Sequence, residues 1–137
     1  MKLENQLVSK KLSIKLDELG FKTESLYWHK IPNKKCRNGS VASIVEYKEE
    51  SKWFDYYRAY SVSEIGEMLP CFIENKGRVY WLKYYKEFNT TKGEKHIACA
   101  ITEDILPGHT LEYFEDTEAN SKTLMLIHLL ENNLINI

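Results

Sequence analysis

The chain has 137 residues, 43% hydrophobic and 28% charged, a composition that fits one soluble globular domain with a real core. Its net charge of −1 supplies no overall field that would favour nucleic acid or an anionic membrane surface. No apolar run of about 18 residues and no signal-peptide layout is present, so the sequence predicts neither a spanning helix nor export.

Met1 to Val8 reads as a lead-in with at most one short extended piece. Ser9 then stands as an N-cap, and Leu12, Leu16 and Leu19 mark one face of a helix ended by Gly20. Lys10, Lys11, Lys15, Asp17 and Glu18 fall mostly on its solvated side. Leu26 to Ile31 predicts a strand stopped by Pro32-Asn33. Residues 34–39 form a basic loop with an Asn38-Gly39 turn pair. Such a cluster can touch phosphate and is more often a solvated turn. Val41 to Tyr47 alternates and predicts a second strand. Lys48 to Lys52 is a polar turn, and Trp53 to Tyr60 an aromatic extended segment.

That segment enters Ala59 to Pro70, the stretch around which the remainder is arranged. Ser61 is placed to cap a short helix, and Glu64, three residues on, completes a capping box. Val62, Ile65 and Leu69 share one face, with Met68 beside them, and Pro70 stops the helix. Gly66 in its middle costs roughly 1 kcal/mol against alanine. Close approach of another backbone or of a partner would account for it.

Cys71 to Ile73 predicts a brief strand, Asn75 to Gly77 a turn, and Arg78 to Lys86 the clearest strand of the chain. Val79, Trp81 and Tyr85 project to one side of it, with Lys83 between the last two. Tyr80, Leu82 and Tyr84 project to the other. Apolar bulk on both sides predicts a central strand. Asn89 to Glu94 is a polar turn, and Lys95 to Ile101 a strand with Ile97, Cys99 and Ile101 on one face. Pro107-Gly108 marks a turn before a strand from His109 to Glu115. Thr117 caps a last helix, with Glu118 at its favourable end and Ala119, Leu126 and Leu130 along one face, Met125 and Leu129 beside them. Asn132-Asn133 ends it, and Leu134-Ile135 is placed to pack back. Strands grouped in runs predict a single α+β domain. An antiparallel or mixed twisted sheet is packed by an N-terminal and a C-terminal helix, with a short central helix between.

Chemistry-bearing motifs are missing. There is no phosphate-binding glycine loop, nucleophile elbow, zincin or EF-hand pattern. His96 and Cys99 have metal-like spacing, but positions i and i+3 of a strand point to opposite faces, and no second ligand pair stands at zinc-finger spacing. Neither a metal nor a cofactor is expected. His29 or His109 can form an acid–base pair with a carboxylate, although strand histidines mostly sit at surfaces or rims, and His128 reads as a packing or surface residue. Cys36, Cys71 and Cys99 are odd in number and widely spaced, which predicts reduced thiols in a cytosol.

Aromatics are plentiful, with nine tyrosines and three tryptophans. Trp53, Tyr56, Trp81 and Tyr84 lie in segments that also carry Arg58, Lys83 and Lys86. Such residues can stack on single-stranded bases, form a protein-binding hot spot, or fill the core. Filling a core is their commonest use. Trp53, Tyr56, Arg58, Trp81, Lys83 and Tyr84 are the candidate binding residues.

Three blocks carry a resemblance. Glu4-Asn5-Gln6 with Ser9 through Gly20 and Ser25-Leu26-Tyr27-Trp28 forms the first, and Ser61 through Pro70 the second. Asp116 through Ala119 followed by Leu124 through Asn132 forms the third. In this order and spacing they resemble an uncharacterised family of small phage and prophage proteins common in gut bacterial genomes. Val41 to Tyr57 and Tyr80 to Ile101 match it only as aromatic-rich strands. The resemblance implies a phage or prophage origin and action in a bacterial cytoplasm, and brings no catalytic residues with it. The resulting expectation is a non-catalytic protein-binding module whose partner is a bacterial host or phage protein. The alternatives are a single-strand-binding or nucleic-acid-processing factor, and an enzyme with an unrecognised site. An exposed strand edge offers a route to oligomers, and no residue pattern specifies the oligomeric state.

Overall fold

The structure is a computed structural model that describes residues 2–36, 39–89, 91, 93–101 and 111–135. The chain opens with a single 3-10 turn, η1 (Leu3–Gln6), and then runs extended through Leu7 and Val8. The Val8 amide donates to the Tyr60 carbonyl at 2.8 Å, and Leu7 bridges to Ser61. The amino-terminal segment is thereby tied to the entrance of the central helix. Helix α1 (Lys10–Glu18) starts at its expected cap, where the Ser9 hydroxyl accepts from the Leu12 amide. Gly20 follows in the left-handed region at φ +81°, where glycine carries no Cβ penalty.

Strands β1 (Trp28–Pro32), β2 (Ser43–Val45) and β3 (Phe54–Arg58) form an antiparallel sheet in the order β2-β1-β3. The alternation over residues 41–47 predicts a longer β2. As an edge strand it pairs only with β1 over three residues, and Val41 and Tyr47 beyond its ends are exposed.

Helix α2 (Val62–Met68) carries the expected capping box. Glu64 Oε2 accepts from the Ser61 amide at 2.7 Å, and Ser61 Oγ from the Glu64 amide at 3.2 Å. The same carboxylate reaches out of the helix, because Oε1 accepts from the Leu26 amide at 3.0 Å. Leu69 is extended, as its place before Pro70 requires. The close approach that would account for Gly66 is not found within the described chain. The nearest atom to a Cβ built there is Lys122 Nζ, at 3.9 Å.

Strands β4 (Phe72–Asn75), β5 (Arg78–Asn89), β6 (Gly93–Ile101) and β7 (Leu111–Glu115) form a second antiparallel sheet, in sequence order. Lys76 and Gly77 both have positive φ, at 52° and 77°, the geometry of a two-residue hairpin turn. β5 is an interior strand, as read. The chain therefore has two sheets where its pattern predicts one. Each run of strands closes on its own antiparallel neighbours, and α2 separates the runs. The Pro107-Gly108 turn and the first two residues of the strand expected from His109 lie outside the described residues.

Helix α3 (Glu118–Glu131) is the pillar between the halves. Its Ala119, Leu126 and Ile127 pack with Val8, Leu16, Phe21, Tyr60 and Ile65. Its Met125 and Leu129 pack with Ile73, Ala98 and Ala100 of the second sheet. Each fully buried leucine of this kind stabilises the fold by about 1.5–3 kcal/mol. Ser121 and Thr123 are also buried, and their hydroxyls donate to the Glu118 and Ala119 carbonyls at 3.1 and 2.6 Å. Beside them, Asn120 Oδ1 accepts from the Ser9 amide at 2.9 Å, so α3 also holds the start of α1. No helix among the described residues is long and apolar enough to cross a membrane.

Candidate protein-binding surface

Strand pairing determines which side chains of the second sheet share a face. Ile73, Tyr80, Leu82, Ala98, Ala100 and Tyr113 turn toward α3. By alternation Phe72, Val79, Trp81, Lys83, Tyr85, Ile97, Cys99, Glu112 and Phe114 turn away from it. On that outer face Phe72, Val79, Trp81, Tyr85 and Phe114 are 39–53% exposed. The Phe72 and Trp81 rings lie 5.4 Å apart. Tyr85, Ile97 and Phe114 make one cross-strand row, and Lys83, Cys99 and Glu112 the next. Ile97 and Cys99 are the buried floor between their taller neighbours. Burial pushes the Cys99 thiol up, Glu112 adds to the shift and Lys83 opposes it.

Trp81 and Lys83, two of the expected binding residues, stand together on this face. Tyr84 points the other way, toward α3. Trp53, Tyr56 and Arg58 belong to the first sheet or the turn that enters it. The six residues therefore do not form one site. Phe72, Tyr85 and Phe114 were not among the candidates. The alternation of β5 already placed Tyr85 beside Trp81, whereas Phe72 and Phe114 join only through strand pairing.

The first sheet has aromatic residues on one face too, but its own cations cover them. Trp28, Lys30, Phe54, Tyr56 and Arg58 share that face by register. Lys30 Nζ stands 4.3 Å from the Phe54 ring centre, and the Arg58 guanidinium and Lys48 Nζ stand 5.0 and 5.3 Å from that of Trp28. Arg58 also faces Asp17 at 3.8 Å. Trp53, at the mouth of β3, is exposed. Lys86 lies on the α3 side of the second sheet and pairs with Glu94 at 3.5 Å. Arg58, Lys83 and Lys86 thus do not ring a common aromatic face.

Tyr84 belongs to a polar chain beneath α3. Its hydroxyl is 2.6 Å from His96 Nδ1 and close to the Glu118 carboxylate, which also accepts from Lys122 Nζ at 2.7 Å. A hydroxyl has one proton. With that proton given to Glu118, Tyr84 accepts from His96 Nδ1–H, and His96 Nε2 faces Glu94 at 3.7 Å. Burial first, then the charges of Glu118 and Glu94, push the Tyr84 hydroxyl up to about 12, so it remains a protonated donor. His96 and Cys99 lie on opposite faces, as their spacing requires. No group of three or more His, Cys, Asp or Glu that could hold a metal occurs among the described residues.

His29 is buried, and its Nε2–H donates to the Val8 carbonyl at 2.7 Å. Burial holds its pKa below the usual value, against the Val8 bond and with help from the Lys10 charge. The ring lines an open cleft of about 770 Å³ that also includes Lys2, Glu4, Ser9, Lys10 and Ser43. The charge that acts on the ring is the Lys10 cation. His109 lies outside the described residues. No protein-family model, no curated protein and no solved structure matches the chain.

Proposed function

We propose that this chain is a non-catalytic protein-binding module whose contact surface is the outer face of the second sheet. The observation that carries the reading is the exposure of Phe72, Val79, Trp81, Tyr85 and Phe114 on one face while α3 covers only the opposite one. Contiguous apolar patches on monomers reach roughly 300–600 Å², and those at the upper end commonly serve binding. Exposed Trp and Tyr are the side chains that most often dominate binding energy. The three-block resemblance supports a phage or prophage origin, with action in the bacterial cytoplasm on a host or phage protein.

A pull-down from bacterial lysate, with and without nuclease, tests the reading when wild type is set beside Trp81→Ser and Trp53→Ser. The expected result is a partner that survives nuclease, is lost with Trp81→Ser and is kept with Trp53→Ser. Recovery only through nucleic acid would overturn it in favour of the single-strand reading. The cleft beside His29 supports a second reading, a small enzyme. Turnover or ligand binding abolished by His29→Gln, with the outer face dispensable, would favour that alternative.

A further inference from the structure

We infer that the cleft beside His29 is a binding site for a small monocarboxylic acid that carries a hydroxyl next to its carboxylate and an apolar chain beyond it. The inference goes beyond the protein-binding reading and is independent of the outer face. His29 and Ile44 are cross-strand partners in the first sheet, so their side chains share a face. Both line the cleft of about 770 Å³, together with Leu3, Glu4 and the start of α1. A space of that size suits an organic molecule. The carrying observation is the state of the His29 ring. A carbonyl can only accept, so the bond to Val8 keeps a proton on Nε2 and leaves Nδ1 of the neutral ring with its lone pair. Nδ1 has no partner among the described residues, although His29 is only 5% exposed. Among those residues, the buried side-chain atoms that lack both a partner and contact with solvent are Ser13 Oγ and Arg58 Nε, and Nδ1 is not one of them. It is therefore an acceptor reached through the cleft.

The charges around the cleft select what can donate to that acceptor. Lys2 and Lys10 against Glu4 leave the lining with one positive charge, which suits a monoanion better than a phosphate dianion. None of the three has an ion pair among the described residues. Lys10 is the first residue of α1, so the helix dipole adds to its pull on an anion. The same Lys10 charge acts on the His29 ring and disfavours a second cation there. The group that donates to Nδ1 is therefore neutral, a hydroxyl and not an ammonium. A hydroxyl on the carbon next to the carboxylate joins the two requirements in one small molecule. Val8, Ala42 and Ile44 supply an apolar wall for the rest of the acid.

The test is a nitrogen-15 NMR titration of the full chain with two hydroxy acids, phenyllactate and hydroxyisocaproate. Hydrocinnamate and isocaproate, which lack the hydroxyl, and phenylalanine, which has an ammonium in its place, are titrated beside them. The hydroxy acids are expected to move the His29 Nδ1 resonance and the amides of Lys10 and Ile44. Losing the hydroxyl should weaken binding by about fivefold or more, a comparison made on wild-type protein with the His29–Val8 bond intact. Lys10→Ala, at an exposed position, should weaken phenyllactate by about fivefold or more with an unchanged far-UV circular dichroism spectrum. Phenylalanine should bind no better than hydrocinnamate. Silence from both hydroxy acids up to roughly 10 mM overturns the inference. So do hydroxy and deoxy acids that bind alike, phenylalanine that binds as tightly as phenyllactate, a Lys10→Ala protein that binds as wild type does, and shifts that avoid His29, Lys10 and Ile44.

Discussion

Gly66→Ala should stabilise the protein. Gly66 lies inside α2, with no positive φ that would demand glycine. A methyl group there would meet Lys122 Nζ at 3.9 Å, an ordinary contact with the mobile end of a side chain. No steric cost therefore offsets the gain in helix propensity, about 0.8–1.0 kcal/mol in a helix interior. α2 is only seven residues long and Gly66 lies in its second half, so the expected gain is about 0.5–1 kcal/mol. At a urea dependence near 2 kcal/mol per molar, the unfolding midpoint should rise by roughly 0.3–0.5 M with the slope unchanged. Tryptophan fluorescence in a urea titration reads this directly. Lys122→Ala, alone and combined with Gly66→Ala, checks that the gain does not come from shifting the Lys122–Glu118 pair. A lowered midpoint at unchanged slope would refute the reasoning, because it would mean that something rigid approaches the glycine.

Tyr60→Phe should destabilise by about 0.5–1.5 kcal/mol in the same titration, since it removes the bond that the buried Tyr60 hydroxyl donates to the Thr23 carbonyl at 3.0 Å. Glu64→Ala should cost about 1–2 kcal/mol, because it unpairs the Ser61 amide and the Leu26 amide together, and Glu64→Gln should recover part of it. His29 has a folded-state pKa below its ordinary 6.5, so the unfolded chain takes up the proton first as pH falls. Its contribution is therefore complete above about pH 6.5 and declines below it until the folded-state pKa is reached; pH-dependent melts should show this slope, and His29→Gln should flatten it. Thiol labelling at neutral pH should modify exposed Cys71 quickly and buried Cys99 slowly, in line with the raised Cys99 thiol; equal rates would contradict the burial of the outer-face floor.

Local chemistry was enough to read much of the fold. Ser9, Ser61 and Thr117 cap the three helices because a cap is an interaction across three residues of sequence. The turn at Lys76-Gly77 and the two faces of β5 follow from backbone preferences and a period of two. The class, α+β with a helix toward each end and a short one between, follows from the order of these elements. The reach of Glu64 to Leu26, the buried bond of Tyr60 and the place of α3 between two cores have no such local signature. They link residues far apart in the chain.

The candidate surface divides along the same line. Alternation alone separates Trp81, Lys83 and Tyr85 from Tyr84, and it marks both faces of β5 as apolar. It does not say which face receives a helix. That outcome depends on α3, which packs on Ala98 and Ala100, where small side chains let it come close, while Trp81, Tyr85 and Phe114 on the opposite face are partly exposed. Phe72 and Phe114 join that face only through the pairing of β4 with β5 and β6 with β7. Local propensity sets what each strand offers to either side. Burial is a property of the neighbours, and only the assembled layers determine which side is covered.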